Sequence, residues 1–168
     1  LGDPYLDGNT GAMVVSASRS LTLRDGRKGV ISTDITLAEI SETASAYTPG
    51  GTGKTVLFDE DVILAHPNTE YIGTGVSEHA DDAFLTSIAA TASSGVSGEI
   101  KEIKADSGVN YFVSFDTVPN TRWVMASYVA ESDVLAELRR FVMIGIAVAV
   151  IMVIVMAVFL LRLINRMI

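Results

Sequence analysis

Two early runs carry the spacing of strands. Residues 11–18 (GAMVVSAS) and 28–35 (KGVISTDI) are rich in Val and Ile. Arg24-Asp25-Gly26 lies between them, and Asp-Gly is a strong hairpin signal. Thr36-Leu37-Ala38-Glu39 then fits a capping box, with Thr at the cap and Glu three residues on. Leu37, Ile40, Ala44 and Tyr47 follow at helical spacing. The pattern predicts an amphipathic helix over 37–47, packed on the hairpin. Thr48 to Gly53 (TPGGTG) is a breaker cluster and marks a domain boundary.

Beyond it the chain alternates mostly as strand. Residues 55–58 and 62–65 flank an Asp59-Glu60-Asp61 turn, and 82–92 fits a short helix. Residues 96–103, 110–116 and 123–129 read as three successive strands, with turns at Gly108 and at Pro119-Asn120. A meander of this kind needs a helix across one face, which makes the fold class α+β. Ser132 is the expected N-cap of a last helix. Val134, Leu135, Leu138, Phe141 and Val142 continue its spacing, with no Gly or Pro between Ser132 and Met143.

Phe141 to Leu161 is 21 residues without a charge. At 1.5 Å per residue this run is about 31 Å long, the thickness of the hydrocarbon core. The expectation is one membrane-crossing helix, continuous with the one that leaves the preceding domain. Arg139 and Arg140 precede the span and Arg162 and Arg166 follow it, so flanking charge does not orient it.

Charge divides the chain sharply. Residues 1–138 hold eight basic and all 20 acidic residues, a net −12, whereas the remainder holds four basic residues alone. An acidic surface of this kind argues against a nucleic-acid partner, which needs basic groups to neutralise phosphates. The absence of cysteine excludes disulfides, thiolate zinc sites and cysteine nucleophiles. The chain opens on Leu1 with no signal-peptide pattern, so it is expected to be a fragment of a longer protein.

Gly50-Gly51-Thr52-Gly53-Lys54-Thr55 resembles a phosphate-binding loop, but the glycine required five positions before the Gly-Lys pair is Thr48. An inter-domain turn is the better reading. His66 and His79 are the only histidines and lack the spacing of a zinc site. Asp59-Glu60-Asp61 lacks the glycine of a calcium loop. Both regions read as solvated loops, and no metal or cofactor is expected. No serine or threonine stands in a nucleophile motif, so the chain is not read as an enzyme.

Tyr5, Asp7 and Asp34 are the polar residues that stand out. Asp34 closes an otherwise apolar strand just ahead of the capped helix. Its carboxylate is either a local turn or cap acceptor, or it points into a pocket. Two carboxylates and a phenol suit an ammonium group through charge-assisted hydrogen bonds.

A family resemblance joins these pieces. Pro4-Tyr5-Leu6-Asp7, Thr10-Gly11 and the Val-rich strand, and Gly29 to Ile35 with Leu37, resemble the later half of the membrane-distal module of a double Cache (dCache) sensor. Gly53 to Phe58 with Val62 to Pro67 resembles the opening of its membrane-proximal module, and Trp123 to Val134 its last strand and exit helix. Leu163-Ile164-Asn165-Arg166 resembles the start of a HAMP linker.

The resemblance implies PAS-like Cache modules, antiparallel sheets with flanking helices. Residues 1–47 would end the distal module and 48–131 would form the proximal one. Residues 132–161 would be the exit helix running into the transmembrane helix (141–161), and 162–168 would begin the HAMP linker. It also implies a homodimeric chemotaxis receptor of the inner membrane, with 1–140 periplasmic and 162–168 cytoplasmic. Tyr5, Asp7 and Asp34 fall where amino-acid-binding members hold the ligand's ammonium. The Arg and Trp that would hold its carboxylate fall before Leu1, as would a first transmembrane helix. The alternatives are the input domain of a sensor histidine kinase or diguanylate cyclase, and a membrane-anchored binding or structural protein without signalling.

Overall fold

In the computed structural model the described residues run from Leu1 to Met167. Ile168, the last residue of the expected cytoplasmic segment, lies outside them. Residues 1–131 form one compact unit and the chain from Ser132 onward a second.

The first unit begins with a three-stranded antiparallel sheet: β1 (Tyr5–Leu6), β2 (Met13–Thr22) and β3 (Lys28–Thr36), in that spatial order. The expected hairpin is present. Gly26 takes φ of 84°, which glycine adopts without steric cost, and its N–H donates to the Leu23 carbonyl. The ladder folds symmetrically about Asp25, setting Val15 opposite Ile35 and Ser16 opposite Asp34. α1 (Leu37–Ser45) follows at once. The Thr36 hydroxyl accepts from the Glu39 N–H and the Glu39 carboxylate accepts from the Thr36 N–H, so the predicted capping box is formed.

A 3-10 turn at Pro49–Gly51 then leads into β4 (Lys54–Asp59). It explains the glycines that imitate a phosphate loop. Gly50 and Gly51 both take positive φ. A Cβ on Gly53 would stand 2.5 Å from the Pro49 carbonyl and 2.8 Å from that of Tyr128. These glycines let the backbone turn tightly against a neighbouring strand, and a strand follows where a nucleotide loop would open a helix.

β4, β5 (Val62–Ala65), β6 (Ile100–Lys104), β7 (Asn110–Thr117) and β8 (Trp123–Ala130) form a second antiparallel sheet in the order β5-β4-β8-β7-β6. α2 (Ala83–Ser93) is capped by the Asp82 carboxylate, which accepts from the Leu85 N–H at 2.9 Å. The helix lays Leu85, Ile88, Ala89 and Ala92 on Val56, Phe58, Ile63, Val113, Phe115 and Ala126. On the opposite face of β4, Leu57 joins Leu64, Ala65, Val15 and Leu37 in a second core shared with α1 and the three-stranded sheet. A bulge supports this division. Leu57 pairs with Ala65 but Phe58 pairs with Ile63, leaving Leu64 as the extra residue, so Leu64 and Ala65 enter the same core.

Three expectations need correction. The strand expected from Val96 begins only at Ile100, because Gly95 and Gly98 take positive φ and interrupt the extended backbone ahead of it. The last helix, α3 (Glu131–Met167), begins one residue after β8 ends, so Ser132 lies inside its first turn and is not its cap. The histidine region is not a pair of solvated loops. His66, Tyr71 and His79 are half-buried and stacked, with Tyr71 between the two imidazoles at centroid distances of 4.6 and 3.8 Å. The Thr74 hydroxyl lies 2.7 Å from His79 Nε2, and the Asn68 N–H donates to His66 Nδ1 at 2.9 Å.

α3 is helical without interruption over 37 residues and contains a strongly apolar stretch that packs against no other part of the described structure. It is long and apolar enough to cross a bilayer.

Candidate functional site

The two faces of the three-stranded sheet differ because side chains alternate along each strand. Val15 points to the core shared with α1. Ser16 and Ser18 point the other way, opposite Asp34 and Ser32 on β3. Tyr5 pairs with Val14, two residues before Ser16, and so lies on this second face. The result is a polar surface carried by backbone pairing.

Its side chains form a relay. The Ser16 hydroxyl donates to Asp34 Oδ1. Tyr5 Oη lies 2.9 Å from Ser16 Oγ. A serine has one proton to give, and here it is directed at the carboxylate, so the phenol is the donor to Ser16. Ser18 and Ser32 hydroxyls meet at 2.8 Å one step along the ladder. Tyr5 is 43% exposed and Asp34 is exposed as well, so the face is open to a ligand.

Asp7 behaves differently. Its carboxylate accepts from the Thr10 hydroxyl, from the Thr10 N–H at 3.0 Å and from the Asn9 N–H at 3.5 Å. The Thr10 hydroxyl, then the Thr10 and Asn9 N–H groups, hold its pKa below the ordinary carboxylate value. Asp7 is therefore a charged anchor of the loop between β1 and β2. Of the three residues singled out by sequence, Tyr5 and Asp34 are joined, and Asp7 is bonded within its own loop.

Ser16 is the member that sequence reading missed. The signal was available: a hairpin centred on Asp25 places Ser16 and Asp34 equidistant from the turn. Among the described residues no group of three or more His, Asp and Glu side chains is placed to hold a metal ion.

A family profile described as a Cache domain matches residues 2–138, and the chain belongs to that family. Solved structures share the fold. The extracellular domain of a candidate histidine kinase, mmHK1S-Z3, superposes with a TM-score of 0.61 at 20% identity, over 83% of this chain and 52% of that one. The ligand-binding domain of Mlp24 with asparagine gives 0.55 at 23% identity, over 82% and 52%. The ligand-binding domain of the Pseudomonas fluorescens chemoreceptor CtaA with L-serine gives 0.54 at 23% identity, over 78% and 54%. The chain thus spans about half the length of these domains. No curated protein matches it. The family defines a ligand-binding sensor module, which is not itself a catalytic one.

Proposed function

We propose that this chain is the extracytoplasmic sensing part of a chemoreceptor, joined to the helix that carries its signal across the inner membrane. The relay Tyr5–Ser16–Asp34 is the observation that carries this reading. A primary ammonium has three donors and a full charge, so it can take Asp34 and Tyr5 as acceptors in place of the weaker neutral donor Ser16. Asp7 adds a second negative charge on the same segment. The ligand class is an amino acid or related amine. The named ligands of Mlp24 and CtaA, asparagine and L-serine, belong to this class.

Binding shifts an equilibrium between two states of the sensor only by the difference in affinity for them. In this reading that shift passes to α3, with residues 1–140 outside the membrane, 162–168 in the cytoplasm as the start of a HAMP linker, and a second copy paired along the helix. Val134, Leu135 and Leu138 lie before the span and are exposed, which suits such pairing. A sensor-kinase input is the second reading, and the likeness to mmHK1S-Z3 supports it.

Calorimetry of the full-length sensor with a panel of amino acids and amines tests the site. Asp34→Ala leaves a bound ammonium without its counter-charge, a loss of about 1.5–3 kcal/mol or roughly 10- to 150-fold in affinity. Equal affinity in the variant and the parent removes Asp34 from the site. The domain fused to the cytoplasmic end separates chemoreceptor from kinase.

A further inference from the structure

Arg122 ends the turn between β7 and β8, immediately before Trp123 opens β8. Its guanidinium serves three carboxylates: Asp3 Oδ1 at 2.5 Å, Glu60 Oε1 at 3.2 Å and Asp59 Oδ2 at 3.3 Å. Two of these belong to its own sheet. Asp59 ends β4 and pairs with Trp123 across the ladder, and Glu60 follows it in the turn. Asp59 is 5% exposed, and its Oδ1 has no hydrogen-bond partner among the described residues. Arg122 is the cation that makes this buried carboxylate tolerable, so its position is fixed from within the five-stranded sheet.

Asp3 lies in the segment that leads into β1 of the other sheet. It lies two residues before Tyr5, and its neighbour Gly2 donates its N–H to the Ser16 carbonyl at 2.9 Å. Ser16 therefore bears on the polar face through its hydroxyl and on the segment of Asp3 through its carbonyl. The Asp3 carboxylate is 81% exposed, so its bond to Arg122 adds little to stability. It is a weak bond between the segment before β1 and a cation anchored by Asp59, and weak bonds of this kind can break and reform as a state changes.

We propose that the Asp3–Arg122 ion pair is the link by which the state of the Tyr5–Ser16–Asp34 face reaches β8, the strand that ends one residue before α3. It deepens the sensing role proposed above and rests on it. Displacement of the Ser16 hydroxyl from Asp34 moves Ser16, and with it Gly2 and Asp3. When Asp3 shifts, Arg122 loses one of its three carboxylates and closes further on Asp59 and Glu60, and that change is felt at Trp123, the adjoining first residue of β8. Asp3 is a positioning residue in this account and touches no ligand.

Amide exchange in the full-length protein tests the link without a known ligand. Asp34→Ala perturbs the polar face directly and is expected to change exchange in residues 123–130 by about fivefold or more, the low end of ordinary coupling between sites. Asp3→Lys places a cation against Arg122 while leaving the Arg122–Asp59 pair in place; in that background the same Asp34→Ala change is expected to vanish from 123–130 and persist in residues 5–36. Asp3→Glu is expected to restore it. The link is refuted if Asp34→Ala leaves 123–130 unchanged, or if its effect there is the same in the Asp3→Lys background as in the parent. Failure of the sensing role looks different: no amine or amino acid binds, or Asp34→Ala leaves binding unchanged, whatever exchange shows.

Discussion

Ser16 stands directly across the β2–β3 ladder from Asp34, and its hydroxyl proton is committed to the Asp34 carboxylate. That commitment makes Ser16 an acceptor for Tyr5 and sets the phenol beside the acid. Ser16→Ala removes both bonds. Because the ammonium displaces the Ser16 hydroxyl from Asp34, the expected result is a gain of about 1 kcal/mol in ligand binding, several-fold in affinity, with the fold unchanged because the site is exposed. Titration calorimetry on the full-length sensor measures it; an unaltered dissociation constant means the relay does not organise the site.

Tyr128 packs against Phe84 and Tyr111 and titrates at the alkaline end. Burial, then the nearby Tyr111 and Asp82 charges, push Tyr128 up to about 12 from 10. A raised value means that the folded state holds the phenol proton more tightly than the unfolded one. Its contribution is complete below pH 10 and is lost as pH rises from 10 towards 12, on the order of 2 kcal/mol. Thermal melts across this range are expected to fall more steeply in the parent than in Tyr128→Phe, and parallel curves would contradict the assignment.

Acid acts on His66 in the opposite sense. Burial is the main cause holding its imidazole below 6.5, and it outweighs the Asn68 backbone contact, which favours the protonated ring. The neutral ring belongs to the folded state, so its stabilisation is complete above pH 6.5 and declines as pH falls through the folded-state value. His66→Phe keeps a ring against Tyr71 and loses the titration. Its melting temperature is expected to depend less on pH between about 6.5 and 5 than that of the parent.

Leu85 is 2% exposed under α2, within the core that contains Phe58 and Phe115. Leu85→Ala leaves a cavity there and is expected to cost about 2–5 kcal/mol. Chemical denaturation of the folded domain reads this directly, and a change below about 1 kcal/mol would show a core able to collapse around the gap.

Sequence reading went furthest where local chemistry decides structure. Asp25-Gly26 fixes the hairpin, and Thr36 with Glu39 fixes the start of α1, because each motif acts within a few residues. The apolar run of α3 is equally direct, since its length alone sets it apart. Reading failed where long-range partners decide. Arg122 meets Asp3 from the far end of the chain, and no local pattern reveals that pair. Tyr71 draws His66 and His79 out of water into a stack that their separate surroundings do not suggest. Within the site, alternation placed Asp34 at its strand end but left Ser16 unnoticed. Asp7 carries a loop preference strong enough to bond within its own turn.

β4 contributes Phe58 to one core and Leu57 to the other, and the Leu64 bulge beside it pins the register. A slip by one residue would exchange these two side chains between packed interiors of different shape. Sliding of β4 past its neighbours is therefore closed as a mode of motion. Whatever one core experiences can reach the other by tilting or translating the strands that line both, β4 together with β5 and β8, as stiff bars.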